Sequence, residues 1–199
     1  EDVKTRNAIV VWSRTTSDDR TVLATGPLRK WRGDSRAAMF RTLRFSEIDC
    51  DIRAGIPKID GEHQAAALQI LSARWTRLEQ AVQDIARINL AHAPNADNCT
   101  VFVGPTAYNF LNVFLKPPRS LLSSGQKLSE HPLFAITCAS RDDALAVFAV
   151  LTSHLAYWWW HSHGDGFHVS RRFIATLPFG LELLMGNTGA RLAGSGAEL

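Results

Sequence analysis

Apolar positions recur every three or four residues along two long stretches of the chain, and they cluster with β-branched and aromatic residues along several short ones. From about His63 to Ile88, the residues Leu68, Leu71, Trp75, Leu78, Val82 and Ile85 keep helical spacing until Pro94-Asn95 breaks the pattern. A second helix is predicted from Ser140 to about Trp160. Ser140 can cap its first turn, Asp143 stands where a capping box carries an acid, and Leu145, Phe148, Leu151, Leu155 and Trp158 continue an apolar face. The segments 99–103, 110–115 and 133–138, bounded by Gly, Pro and Ser, read as strands of a small sheet. Ahead of these, Ala8 to Trp12 reads as a strand followed by a turn at Ser17-Asp18-Asp19-Arg20. Asp34 is placed to cap a helix carrying Ala37, Phe40 and Leu43. Gly55-Ile56-Pro57-Lys58 reads as an extended linker, since proline lacks a donor and biases its predecessor away from helix. The pattern predicts an α/β (α+β) fold, a small mixed sheet with two long helices, divided at the linker into segments 1–58 and 59–199.

Length and composition narrow the class. A chain of 199 residues with 46% hydrophobic and 21% charged residues can bury a core, and no apolar run approaches the roughly 20 residues that span a bilayer, so no membrane partner is expected. The start at Glu1-Asp2-Val3-Lys4, with methionine only at Met39 and Met185, reads as a piece of a longer protein. Cys50, Cys99 and Cys138 are odd in number and form no Cys-x-x-Cys pair, which points to a reducing cytoplasm. The net charge of +3 is too small to imply nucleic acid, but its distribution is uneven. Arg29, Lys30, Arg32, Arg36, Arg41 and Arg44 share residues 29–44 with Asp34 as the only acid, a local excess suited to phosphates.

Candidate chemistry is incomplete wherever it is approached. His161-Ser162-His163-Gly164-Asp165-Gly166 comes near the His-x-His-x-Asp-His pattern of zinc hydrolases, but ends in Gly166 and follows a predicted helix rather than a strand. A helix end whose histidines sit at the negative pole of the dipole explains the same residues. Lys116-Pro117-Pro118-Arg119 lacks both the acceptor and the flat ring with which amino-methyltransferases clamp a base, and reads as a rigid turn. No Gly-x-Gly-x-x-Gly turn and no Gly-x-Ser-x-Gly elbow is present. Trp158-Trp159-Trp160 point in different directions on a helix, so core packing accounts for most of the triplet.

Three stretches taken in order carry a resemblance. These are Val3-Lys4-Thr5-Arg6-Asn7-Ala8-Ile9; then Leu28-Arg29-Lys30-Trp31-Arg32 with Ser35-Arg36, Phe40 and Gly55-Ile56-Pro57-Lys58-Ile59; and finally Leu151-Thr152-Ser153 through Gly164-Asp165-Gly166 to Leu177-Pro178. Together they resemble the C-terminal part of the large adenine-specific DNA methyltransferases of type IIG restriction-modification systems, over nearly the whole chain. Thr152 stands where that family commonly has Asn. The resemblance implies that residues 1–58 hold the closing strands of a Rossmann-like catalytic domain and a basic linker, and that residues 59–199 form a target-recognition domain. It implies double-stranded DNA and the upstream catalytic domain of the same protein as partners. It also implies S-adenosylmethionine as cofactor of the parent enzyme, with none bound by this stretch, whose cofactor loop and base clamp would lie upstream. Arg29, Lys30, Arg32 and Arg36 would then grip phosphates, while His163, Asp165, His168, Arg171 and Arg172 help read sequence. Two other readings stand beside this one: a structural or protein-interaction module, and a metal-dependent hydrolase built on His161, His163 and Asp165.

Overall fold

The chain is described by a computed structural model that covers residues 23–29, 33–49, 55–90, 98–118, 132–180 and 186–198. The strand expected at Ala8 to Trp12, the turn after it and the Rossmann-like closing strands lie outside the described residues. Among the described residues the architecture is mixed α and β, with two antiparallel sheets and seven α-helices. No helix among them is long and apolar enough to cross a membrane.

The first sheet is a two-stranded ribbon of β1 (Leu23–Thr25) and β2 (Ser46–Ile48). A 3-10 turn at Gly33–Ser35 and helix α1 (Arg36–Thr42) connect its strands. Ser35 rather than Asp34 occupies the N-cap position, and it makes no side-chain cap bond. Residues 55–60 run extended, as expected of the linker, and the buried Thr25 hydroxyl donates to the Pro57 carbonyl at 2.7 Å.

The long helix expected from His63 to Ile88 is replaced by three elements. These are α2 (Gly61–Arg74), a single turn α3 (Leu78–Ala81) and strand β3 (Asp84–Asn89). Tertiary hydrogen bonds account for the break. Leu78 N–H donates to the Leu177 carbonyl (2.9 Å), Phe179 N–H to the Thr76 carbonyl (2.7 Å), and the Thr76 hydroxyl to the Phe179 carbonyl (2.7 Å), so the backbone after Trp75 is committed to residues 177–179. Ile85 and Ile88 then fit the pleat as well as they fitted the helical period.

The second sheet has the order β3-β6-β4-β5, with β4 (Thr100–Ala107), β5 (Leu111–Phe114) and β6 (Pro132–Thr137). Every pairing is antiparallel, so the sheet is not mixed. Its two faces divide by the two-residue period. Ile85, Val101, Val103, Phe134 and Ile136 join the main core, while Phe102, Leu133 and Ala135 pack with Ile88, Leu90 and Phe114 in a smaller cluster. Apolar groups on both faces of β4 explain its uninterrupted Val-Phe-Val run.

The main core is closed by α4 (Arg141–Leu151), α5 (His154–His163) and α6 (Arg171–Thr176), with α7 (Gly186–Glu198) packed on α4. Ser140 caps α4 as expected, accepting from Asp143 N–H at 3.1 Å. The single helix expected from Ser140 to Trp160 is nevertheless two. The Thr152 hydroxyl donates to the Phe148 carbonyl (2.9 Å) and the Ser153 hydroxyl to the Val150 carbonyl (2.6 Å). Ser153 then accepts from Ala156 N–H (3.3 Å), so these two hydroxyls end one helix and start the next.

Candidate nucleic-acid interface

Helix α5 ends on a turn built around one carboxylate. Asp165 Oδ1 accepts from the backbone N–H groups of Phe167 (2.8 Å) and His168 (2.7 Å), and Oδ2 accepts from His168 Nδ1–H at 2.6 Å. The pair is exposed, and it fixes the imidazole through one nitrogen so that Nε2 is the ring's remaining polar atom. The glycines on either side have geometric causes. A Cβ on Gly164 would stand 2.5 Å from the Trp160 carbonyl, and Gly166 has φ +78° and would meet Leu28 Cδ2 at 2.6 Å.

That last contact brings distant segments together. Leu28, next to Arg29, lies against the turn, and Lys58 N–H donates to the Ser162 carbonyl at 2.7 Å. Arg29 bridges to Asp60 at 3.1 Å, both partly exposed. Burial lowers the pKa of the half-buried Lys58 ammonium, and the charge of Asp165 works against that shift. His163 stacks on the Trp159 indole with ring centres 3.9 Å apart and donates through Nδ1–H to the Trp159 carbonyl at 3.1 Å. Burial drives its pKa from the ordinary 6.5 down to about 4; the carbonyl bond pulls upward and the Lys58 charge pushes further down. His163 is therefore neutral at pH 7, with Nε2 an acceptor. The buried Trp159 Nε1–H has no hydrogen-bond partner among the described residues.

A bulge in β4 joins this turn to the sheet. The β4–β5 register shifts between Val103 and Ala107 and the β4–β6 pairing ends at Val103; beyond it β4 bonds to the chain leaving the turn, with Ala107 N–H donating to the Phe167 carbonyl (2.9 Å) and Val169 N–H to the Pro105 carbonyl (2.8 Å). Trp160 Nε1–H donates to the His168 carbonyl at 2.9 Å and anchors the same segment from inside the core. The hairpin tip at Tyr108 is held to α5 by the Tyr157 hydroxyl, which donates to the Tyr108 carbonyl at 2.9 Å.

The residues singled out in the sequence distribute unevenly. His163, Asp165 and His168 share the turn, and Arg29 reaches its vicinity through Leu28. Arg171 does not join them, because its Nε–H donates to the Ile85 carbonyl at 2.7 Å on β3, the sheet edge opposite β5. Arg172 is exposed beside it on α6. Arg36 begins α1, while Lys30 and Arg32 lie outside the described residues. Among the described residues no group of three His, Cys, Asp or Glu is arranged to hold a metal ion, which leaves the hydrolase reading without a metal centre there. Trp159 and Trp160 are buried and Trp158 is packed against the core, in line with the packing expected of the triplet. A cleft of about 730 Å³ between β2 and α2 is lined by Glu47, Asp49, Asp60 and Glu62, with Arg44 as its one base among the described residues, a balance that repels phosphate. Lys58 entered the sequence reading only as part of the linker and of the resembling stretch, with no role of its own, and the Tyr108 hairpin carried no signal, since an aromatic beside a strand looks ordinary. Only the bulge and the linker's path place them here.

No family model, no curated protein and no solved structure matches the chain.

Proposed function

We propose that the chain is the target-recognition part of a larger adenine-specific DNA methyltransferase of a cytoplasmic restriction-modification system. In this reading it presents its Gly164-Asp165-Gly166 face to duplex DNA while the chemistry is supplied by the rest of the protein. The observation that carries the reading is convergence. Segments that resemble that family at 28–29, 55–59 and 162–166 are far apart in the chain, yet they meet around one turn through the Leu28–Gly166 contact and the Lys58–Ser162 hydrogen bond. Arg29 and Lys58 supply positive charge there, with Lys30, Arg32 and Arg36 continuing the basic segment, and His163 and His168 offer neutral or hydrogen-bonding groups for base edges.

The test is a titration of the whole chain against duplex DNA at low and at moderate salt. Log affinity should fall linearly with log salt, and alanine at Arg29 and Arg32 should weaken all sequences alike and flatten the slope by roughly 0.9 for each phosphate that is no longer neutralised. Absence of duplex binding even at low salt would leave a protein-interaction module as the better description.

A further inference from the structure

We infer that the tip of the β4–β5 hairpin, Tyr108-Asn109-Phe110, is a nucleobase-stacking element that engages unstacked bases of DNA lying on the Gly164-Asp165-Gly166 face; this rests on the DNA reading above. Ala107 and Leu111 pair across the tip, and the residues between them would ordinarily be Gly, Asn, Asp or Ser, which adopt turn dihedrals easily and leave no apolar surface in water. Tyr108 and Phe110 are instead 56% and 66% exposed, so much of each ring stays in water.

The backbone that carries them is nonetheless fixed. Ala107 N–H is bonded to Phe167, the Tyr108 carbonyl accepts from Tyr157, and the Asn112 amide donates to the Thr106 carbonyl at 3.0 Å. Tyr108 meets Phe167 edge-on at 5.3 Å, and Phe167 meets His168 edge-on at 4.9 Å, so aromatic groups step from the tip to the Asp165–His168 pair. Exposed rings on a pre-ordered backbone lose little conformational freedom when they bind. Their surroundings are polar: Asp165 and His168 are exposed and Lys58 is close by, whereas the centre of a protein interface is depleted of charge. Flat rings projecting from such a surface fit the faces of bases, whose edges are polar and whose π-faces are sequence-independent.

The whole chain is titrated at one salt concentration with a fully paired duplex and with the same duplex carrying one extrahelical base. Roughly tenfold tighter binding of the second probe is expected from one base stacked on an aromatic ring. Replacing Tyr108 and Phe110 together by alanine should abolish that preference and leave the salt slope, which counts phosphate contacts, unchanged. Tyr108→Phe with Phe110→Trp should keep the preference. Should the double alanine variant fold poorly, Phe110→Ala alone, at the more exposed ring, should reduce it. Equal affinity of the unaltered chain for both probes would overturn the stacking role while leaving DNA binding intact. No affinity for either probe would overturn DNA binding and the stacking role together. Self-association that the alanine variant abolishes, read by sedimentation, would make the tip a contact between copies and overturn it as well.

Discussion

His163 shows how one side chain can couple this turn to pH. Its folded pKa of about 4 lies below the ordinary 6.5, so between those values the unfolded chain binds the proton and the folded chain resists it. The stability that depends on a neutral His163 is complete above pH 6.5 and is lost as pH falls toward 4. About 2 kcal/mol should be gone by pH 5, a large share of the 5 to 15 kcal/mol typical of a domain. His163→Phe keeps a ring on Trp159 and cannot titrate. Denaturant midpoints at pH 7 and pH 5 should therefore lie closer together in the variant than in the parent; an identical spacing would mean that another group governs the acid limb. Gly166 makes a second residue-scale case. Alanine there must adopt φ near +78° and push Leu28 away, which should destabilise the chain by about 1 to 3 kcal/mol in urea unfolding. It should also weaken DNA binding, because Leu28 positions Arg29.

At the scale of elements, short polar side chains decide where helices stop. Ser153 both closes α4 and caps α5, and Ser153→Ala should cost about 1 kcal/mol in thermal or denaturant unfolding, whereas alanine at exposed Thr188 on α7 should cost almost nothing. The Thr152-Ser153 pair was visible in the sequence, but the apolar period runs straight through it, so Leu145 to Trp158 reads as one helix until the hydroxyl bonds are seen. The three strands at 99–103, 110–115 and 133–138 were legible because β-branched and aromatic residues there are bounded by turn formers. Strand β3 was not, since Ile85 and Ile88 suit a helical period and a strand equally, and only the bonds between 76–78 and 177–179 settle the choice. The turn at Gly164 to Gly166 was legible as a helix stop. Its partners were not, because Leu28, Lys58, Pro105 and Ala107 arrive from distant parts of the chain that no local pattern links.

At the scale of the molecule, the topology bears on where chemistry can take place. Nucleotide cofactors of doubly wound folds bind outside the carboxyl ends of parallel strands, at the point where strand order reverses and a glycine-rich turn feeds a helix. Among the described residues both sheets are antiparallel throughout, and β4 is joined to β5 by a hairpin rather than by a crossover helix. That arrangement offers no such crevice. What it does offer is a rigid platform, in which the bulged end of β4, the end of α5 and the linker at 57–58 are pinned to one turn by backbone hydrogen bonds. A platform of this kind suits recognition, which needs fixed donors and acceptors more than it needs a closed site. On the proposed function, the chain alone should give no heat on titration with micromolar S-adenosylmethionine and transfer no methyl group to duplex DNA, while still binding that DNA with a steep salt dependence. Saturable heat at micromolar cofactor would show that the methyl-donor site lies within these residues, and would overturn the separation of recognition from chemistry on which the proposed function depends.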